Sequence, residues 1–208
     1  EIKTPSFSEK SKLYELIAHN PKLLPLLSRF GIQLGFGDRS VDEVCRQNHV
    51  STRLFMQVCA LHFDPNATTR LSNPDDADLD SLLSYLSASH RAYLDEHFPH
   101  IEMHLNRIIE AAGPKYGNML SHFYNEYKHE MVKHFKYEDE VVFPYIAALR
   151  TGKNTNYNID QFRHNHSNIE DALEDMTNIL IKYLPGDILP SERICIATDI
   201  MELSADLT

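Results

Sequence analysis

The sequence predicts an all-α protein in which a small helical domain precedes a four-helix bundle of up-down-up-down topology. Apolar residues recur at helical spacing along most of the 208 residues, and no segment has the character of a strand. The predicted helices are short before about residue 63 and much longer after it. Long helices joined by short loops favour antiparallel neighbours, and hence a bundle.

The first domain is predicted over residues 1–63. Ser8 is a plausible N-cap, Gly31 has the position of a residue that ends a helix, and Ser40 with Glu43 has the pattern of a capping box. The predicted helices begin at Ser8, at Pro21, at Ser40 and near Ser51, and the last of them ends near His62.

Residues 64–77 are predicted to be a linker, because they are rich in Pro, Asn, Asp and Thr and poor in large apolar residues. The bundle is predicted over residues 78–208. Its helices are expected over about Asp78–Ala112, Lys115–Leu149 and Asp160–Tyr183, and from Pro190 onward. Pro99 should kink the first helix, because proline removes a backbone hydrogen bond and clashes with the preceding turn.

The fourth bundle helix is expected to be incomplete. The sequence ends at Thr208 without a C-cap signal and begins at Glu1 rather than Met, which suggests a fragment of a longer protein. A shortened fourth helix would expose an apolar groove. We therefore expect a homodimer or a swapped helix.

Composition excludes several classes of function. The formal net charge of −10 disfavours nucleic-acid binding, and no apolar run approaches the ~20 residues that span a bilayer. Cys45, Cys59 and Cys195 are too scattered for a disulfide framework, so we interpret all three as small buried residues of a cytoplasmic protein. The chain also has no Gly-x-Ser-x-Gly elbow and no phosphate loop, which argues against a hydrolase.

One stripe of side chains points to metal chemistry. Glu126, Glu130, His134 and Glu138 follow one another at intervals of four and share one face of the second bundle helix. If that face points inward it needs a cation, because unpaired buried charge is costly. Imidazole and carboxylate together suit iron, manganese or zinc. The alternative is a solvated polar face with chance spacing.

Two further histidines favour the metal interpretation. His90 lies among apolar residues of the first bundle helix, and His166 lies near the start of the third. Taken singly, each is a surface or core histidine. Bundles build metal sites from His and Glu on facing helices, so one candidate on each of three successive helices favours a shared site.

The long-helix region resembles the hemerythrin-like family in His90, in His134-Phe-Lys-Tyr-Glu138 followed by Val142-Phe143-Pro144, and in His166. Residues 16–32 and the capped helix from Ser40 resemble the N-terminal domain of the Repair of Iron Centres family. The resemblance implies a di-iron centre with His90, His134 and His166 as terminal ligands and Glu138 as a bridging carboxylate. Glu130 would be a supporting or access-path residue. It also implies repair of iron–sulfur clusters damaged by nitric oxide or peroxide.

The sequence departs from the family in two places. The turn that usually carries a Cys-Cys pair is Leu34-Gly35-Phe36-Gly37 here, and residues 190–208 lack the second His-x-x-x-Glu motif. The resemblance therefore does not extend to thiol-dependent chemistry by that pair, and the iron site of this segment is expected to be partial or absent.

Three functional hypotheses follow. The first is an iron-binding stress protein that acts on iron–sulfur proteins, a role in metal handling rather than classical enzyme catalysis. The second is an input domain that senses oxygen or nitric oxide within a larger regulatory protein. The third is a metal-free helical interaction module.

Overall fold

The computed structural model describes residues 7–63, 73–150 and 174–207, with side chains up to Leu203. Within these ranges the regular structure is helical, apart from an isolated bridge between Lys12 and Ser40, so the all-α prediction is confirmed. None of the helices in the described ranges has the length and hydropathy of a membrane-spanning segment. The α-helices with both ends in the described ranges are α1 (Leu13–His19), α2 (Leu24–Arg29), α3 (Val41–Gln47), α4 (Thr52–Phe63), α5 (Asp76–Ala92), α6 (Phe98–Tyr137), α7 (Phe143–Arg150) and α8 (Pro190–Leu207).

The chain folds as two compact units, Glu1–His90 and Arg91–Thr208, whose boundary falls inside α5. The core of the first unit is formed by buried apolar side chains of α1 to α4, with Leu82 and Tyr85 of α5 packed against it. The Tyr85 ring stacks on Phe30 with centroids 4.5 Å apart. The first unit thus includes most of α5.

Several helix ends follow the sequence signals. The Ser40 backbone N–H donates to Glu43 Oε2 at 2.8 Å and the Glu43 N–H donates to Ser40 Oγ at 3.3 Å, so the capping box is confirmed. These bonds from Ser40 lower the pKa of Glu43. Gly31 adopts φ 70° just after α2, as expected of a residue that ends a helix.

The predicted start of the first helix at Ser8 is wrong, because α1 begins at Leu13. The Ser8 N–H donates to Ser11 Oγ at 3.0 Å, and the Lys10 N–H donates to Ser8 Oγ at 3.3 Å. Serine side chains that bond nearby backbone groups stabilise a turn in place of a helix. Residues 8–11 therefore form a turn, and Lys12 bridges to Ser40 before the helix begins.

Asp78 joins the start of α5 to the start of α4. Its side chain is almost fully buried, forms an ion pair with Arg53, and accepts from Ser51 Oγ at 2.5 Å and from the Asp75 N–H at 2.9 Å. The Asp78 N–H in turn donates to Asp75 Oδ1 at 2.9 Å. The Arg53 guanidinium and these donors lower the pKa of Asp78 from 3.8 to about 2.

Asp78→Asn should destabilise the protein by about 2 kcal/mol at pH 7, because it weakens charge-assisted hydrogen bonds to a buried carboxylate. A carboxyl whose folded-state pKa is depressed stabilises the fold above its unfolded pKa and loses that contribution as pH falls through the folded value. The difference between wild type and variant should therefore shrink between about pH 4 and pH 2. Urea unfolding followed by circular dichroism at several pH values measures it.

Asp38→Asn is the matched control, since the Asp38 side chain is 86% exposed in its pair with Lys12. Its effect should stay below about 0.5 kcal/mol at every pH. Equal effects of the two substitutions would contradict the role assigned to Asp78.

The second unit is organised by a helical hairpin within α6. Gly113 has non-helical angles (φ 69°, ψ 178°) and separates two arms, residues 98–112 and 114–137. Lys128 Nζ lies 2.5 Å from Glu102 Oε1, and the Tyr127 ring packs edge-on against Phe98 with centroids 5.9 Å apart. These partners lie at nearly equal distances from Gly113 along the chain, so the arms are antiparallel. The predicted helix stop at Gly113-Pro114 is confirmed.

The described part of the second unit contains three π-helical turns, and each is followed by an apolar residue and then a proline. They span Tyr93–His97 before Phe98-Pro99, Glu138–Val142 before Phe143-Pro144, and Ile179–Tyr183 before Leu184-Pro185. Proline has no N–H and its ring clashes with the carbonyl four residues earlier. The preceding turn widens, so that the backbone N–H before each proline donates to the carbonyl five residues earlier. At Pro99 this turn takes the place of the kink expected inside one continuous helix.

The remaining described helices complete the core of the second unit. Residues 174–183 and α8 pack their apolar side chains against the two arms of α6. Arg193 of α8 donates to the Leu180 carbonyl at 2.6 and 2.9 Å and to the Pro185 carbonyl at 2.7 Å. One guanidinium thus satisfies carbonyls at the end of the preceding helix, which would otherwise lack partners within it.

The cysteines divide into two groups. Cys45 and Cys59 are buried in the first unit, and burial raises the pKa of each thiol to about 12. Cys195 is exposed on α8, so its interpretation as a buried residue is wrong. It lies beside the buried Ile196 but on the outer face of the helix.

Candidate metal centre

His134 and Glu138 are the two predicted ligands that the structure brings together. His134 follows the buried Tyr127 and Met131 on the inner face of the second arm of α6, and Glu138 begins the π turn that comes next. His134 is 5% and Glu138 9% exposed, and His134 Nε2 lies 3.5 Å from Glu138 Oε2. The i,i+4 spacing places both donors side by side on one face.

The same arm carries an exposed copy of this arrangement. His122 Nε2 lies 3.6 Å from Glu126 Oε1, also at i,i+4, but these side chains are 67% and 63% exposed. The two pairs differ in burial and hardly at all in chemistry or spacing. The outer pair is solvated, whereas His134 and Glu138 have lost most of their contact with water.

The buried pair suits a metal cation. Burying a carboxylate is costly unless a cation or hydrogen-bond donors compensate it. An imidazole nitrogen beside carboxylate oxygen is a ligand set that iron, zinc and manganese accept, and bundle interiors hold such metals on inward-facing His and Glu. His134 and Glu138 therefore fit a non-haem metal.

The predicted stripe divides into an inner and an outer part. Glu130 has a half-exposed side chain with Lys133 Nζ 3.5 Å from its carboxylate. It lines an open surface groove of about 510 Å³. The other lining residues are His122, Asn125, Glu126 and His129. Glu126 and Glu130 thus face the surface groove, while His134 and Glu138 face the interior.

The remaining predicted ligands are His90 and His166. His90 is 5% exposed and lies in the last turn of α5, shortly before the π turn at Tyr93–His97. It is the last residue of the first compact unit. His166 lies outside the described residues. Among the described residues, no group of three or more His, Cys, Asp and Glu side chains is arranged to hold a metal ion.

Aromatic packing supports the segment that carries His134. Phe135 is buried and stacks on Tyr93, with ring centroids 5.6 Å apart and planes 15° apart. Tyr93 opens one π turn, and Glu138 opens another. Such turns occur often at functional sites. The sequence indicated Tyr93 only as an apolar neighbour of His90, and its stacking on Phe135 was not predicted.

Comparison with known proteins gives one family match. The family model "Hemerythrin HHE cation binding domain" matches residues 83–207. That range contains all four predicted metal ligands. No solved structure matches the chain significantly.

The curated relatives are iron–sulfur cluster repair proteins. The chain is 22% identical over 191 residues to "Iron-sulfur cluster repair protein ScdA" of Staphylococcus haemolyticus (strain JCSC1435), covering 89% of this chain and 83% of the relative. Proteins of the same name from two strains of Staphylococcus epidermidis are 24% identical over 119 residues, covering 56% of this chain and 48% of each relative. The similarity to the Staphylococcus haemolyticus protein extends through both compact units.

Proposed function

This chain belongs to the hemerythrin HHE cation-binding family, and from that premise we propose that it holds a non-haem di-iron centre and supplies iron for the repair of damaged iron–sulfur clusters. The observation that carries the proposal is the buried pair of His134, on the inner face of α6, and Glu138, in the π turn that follows, whose Nε2 and Oε2 atoms are 3.5 Å apart. The exposed pair of His122 and Glu126 lacks that burial and has no part in the proposal.

The proposed ligands are the imidazoles of His90, His134 and His166 and the carboxylate of Glu138. His90 and His134 are both buried, so little water reaches them to form hydrogen bonds in place of metal binding. Bound iron would supply redox and Lewis-acid chemistry. The protein's own part is to orient the donors, and Phe135 packed on Tyr93 restricts the segment that carries His134.

The repair role rests on similarity to proteins named for iron–sulfur cluster repair. We propose that the substrates are iron–sulfur proteins damaged by nitric oxide or peroxide. Because residues 34–37 contain no cysteine, the role that fits this chain is delivery of iron without a thiol pair in that turn. Cys45 and Cys59 do not substitute for that pair, since both are buried with pKa values raised to about 12.

Iron content after anaerobic loading with ferrous iron tests the metal site. The wild-type chain should retain about one to two irons per chain after desalting, where two corresponds to a filled di-iron centre and one to a partly filled centre. His134→Gln and Glu138→Gln should each lose most of that iron. Mass spectrometry of the metal, with circular dichroism to verify folding, gives the result.

The matched controls are His122→Gln and Glu126→Gln, which remove the same groups at the same spacing from the exposed pair. They should retain wild-type iron. Equal iron in all variants, or no iron in the wild type, would overturn the metal proposal.

Repair is tested separately with an iron–sulfur hydratase inactivated by nitric oxide. Iron-loaded wild-type protein should restore its activity faster than an equal amount of free ferrous iron, and His134→Gln should not. Normal iron binding without such restoration would overturn the repair role and leave the metal site intact.

A further inference from the structure

A second group of histidines and carboxylates lies where α6 packs against α8. His100 Nδ1 is 2.9 Å from Asp199 Oδ2, and His104 Nδ1 is hydrogen-bonded to Glu192. The other ring nitrogens of the two histidines, both Nε2, lie 3.2 Å apart. Arg107 donates to the second oxygen of Glu192 at 2.9 Å.

The carboxylates determine which ring nitrogen of each histidine carries the proton. An ionised carboxylate only accepts hydrogen bonds, so each Nδ1 must donate to its partner. Hydrogen bonds from His104 and Arg107 lower the pKa of Glu192, which keeps that carboxylate ionised. In the neutral rings each Nε2 atom then carries a lone pair, so two nitrogens able to bind a metal lie 3.2 Å apart.

The separation of the two rings suits a metal ion. Two nitrogens that each lie about 2.1 Å from one ion, at an angle of about 100°, are about 3.2 Å apart. Rings held in this way have centroids about 5 Å apart. The Nε2 atoms of His100 and His104 are 3.2 Å apart and their ring centroids 4.7 Å apart.

The carboxylates beside His100 and His104 give both rings the hydrogen bond that metal-binding histidines commonly make. A ligating histidine usually donates its other ring N–H to a carboxylate, which fixes the tautomer and makes the ring more basic. Both His100 and His104 have such a carboxylate on α8. The His100 side chain is 52% exposed and that of His104 14%, so an ion can enter from solvent and water can complete its coordination.

We propose that the Nε2 atoms of His100 and His104 form a solvent-accessible site for a divalent transition-metal ion such as Zn²⁺, with Asp199 and Glu192 orienting the two imidazoles. The remaining coordination positions belong to water. This site uses neither His134 nor Glu138, so it is independent of the proposed iron centre.

Zinc titration of the full chain tests the site. The parent protein is the His134→Gln variant, which removes a ligand of the proposed iron centre, and calorimetry gives the zinc stoichiometry and affinity. The parent should bind zinc at a site that disappears when either His100→Gln or His104→Gln is added. His122→Gln, which removes an exposed histidine paired with Glu126, should leave the site unchanged.

The orienting role has its own readout. Asp199→Asn keeps both ligands but weakens the acceptor for His100 Nδ1, and it should lower the zinc affinity about 10- to 100-fold without removing the site. His100 is more than half exposed, so His100→Gln should fold normally, and circular dichroism verifies this.

The same zinc binding in the parent and in the His100→Gln protein, or no zinc binding in the parent, would overturn the site. The second result would leave the two histidines as side chains that pair with the carboxylates of α8. Neither result bears on iron retention by His134 and Glu138, which is measured separately.

Discussion

Alanine in place of Phe135 should lower the free energy of unfolding by about 3–5 kcal/mol, the usual cost of emptying a core aromatic site. The Phe135 side chain is 1% exposed. Its stacking on Tyr93 adds about 0.5–1.5 kcal/mol beyond the buried area. Urea unfolding of the iron-free protein, followed by circular dichroism, measures the loss.

Two other substitutions on the same arm give stability changes with which the Phe135→Ala loss can be compared. Phe135→Leu refills part of the space and should lose well under half as much stability as Phe135→Ala. Val132→Ala truncates a residue that is 40% exposed and should change stability by less than about 0.5 kcal/mol. A loss for Phe135→Ala no larger than that for Val132→Ala would show that the Tyr93 contact does not stabilise the second unit.

Gly113→Ala should cost about 2–3 kcal/mol. Its φ of 69° with ψ of 178° lies in a region that is essentially restricted to glycine. Nothing lies within 4 Å of the place where a Cβ would stand, so the cost comes from the backbone and not from a clash. The hairpin of α6 depends on this residue, and urea unfolding gives the change.

Gly186→Ala provides the comparison, because a Cβ at Gly186 also meets open space and its φ lies outside the left-handed region. Alanine reduces the freedom of the unfolded chain, so this variant should be unchanged or more stable by up to about 1 kcal/mol. Similar losses at Gly113 and Gly186 would show that the backbone angles of Gly113 are not what makes it necessary.

The sequence predicted helix ends correctly where a particular side chain is needed to satisfy or to bend the backbone. The capping box at Ser40 and the break at Gly113-Pro114 were visible because each requires particular residue types. The start of α1 was missed, because Ser8 and Ser11 bond to the turn they occupy and not to a helix. Serine can either cap a helix or stabilise a turn. Here the turn precedes the pairing of Lys12 with Ser40, and a contact between residues so far apart in the chain cannot be predicted from a local sequence pattern.

The candidate site shows a similar limit. Spacing correctly placed His134 beside Glu138, but it also grouped them with Glu126 and Glu130, which line the surface groove. A four-residue interval advances around a helix by slightly more than one turn, so a long stripe drifts from one face toward another. Which end of the stripe is buried depends on the packing of other helices. The group formed by His100, His104, Asp199 and Glu192 was not predicted either, because its members are distant in the chain and only helix packing brings them together.

The π turns have a consequence for counting residues along these helices. Each residue of an α-helix advances by about 100°, and a π turn contains one residue more than the corresponding α-turn. Relative to an uninterrupted helix, α7 is therefore rotated by about one residue with respect to His134. Replacing Pro144 should allow the π turn to become an ordinary α-turn. The side chains of α7 would then point in directions rotated by about 100°, unless one residue of the turn were deleted as well. In these three segments the proline and the extra residue of the π turn occur together. Gaining or losing either alone would rotate the downstream helix by about 100°, which is enough to move an inward-facing side chain to the flank of the helix.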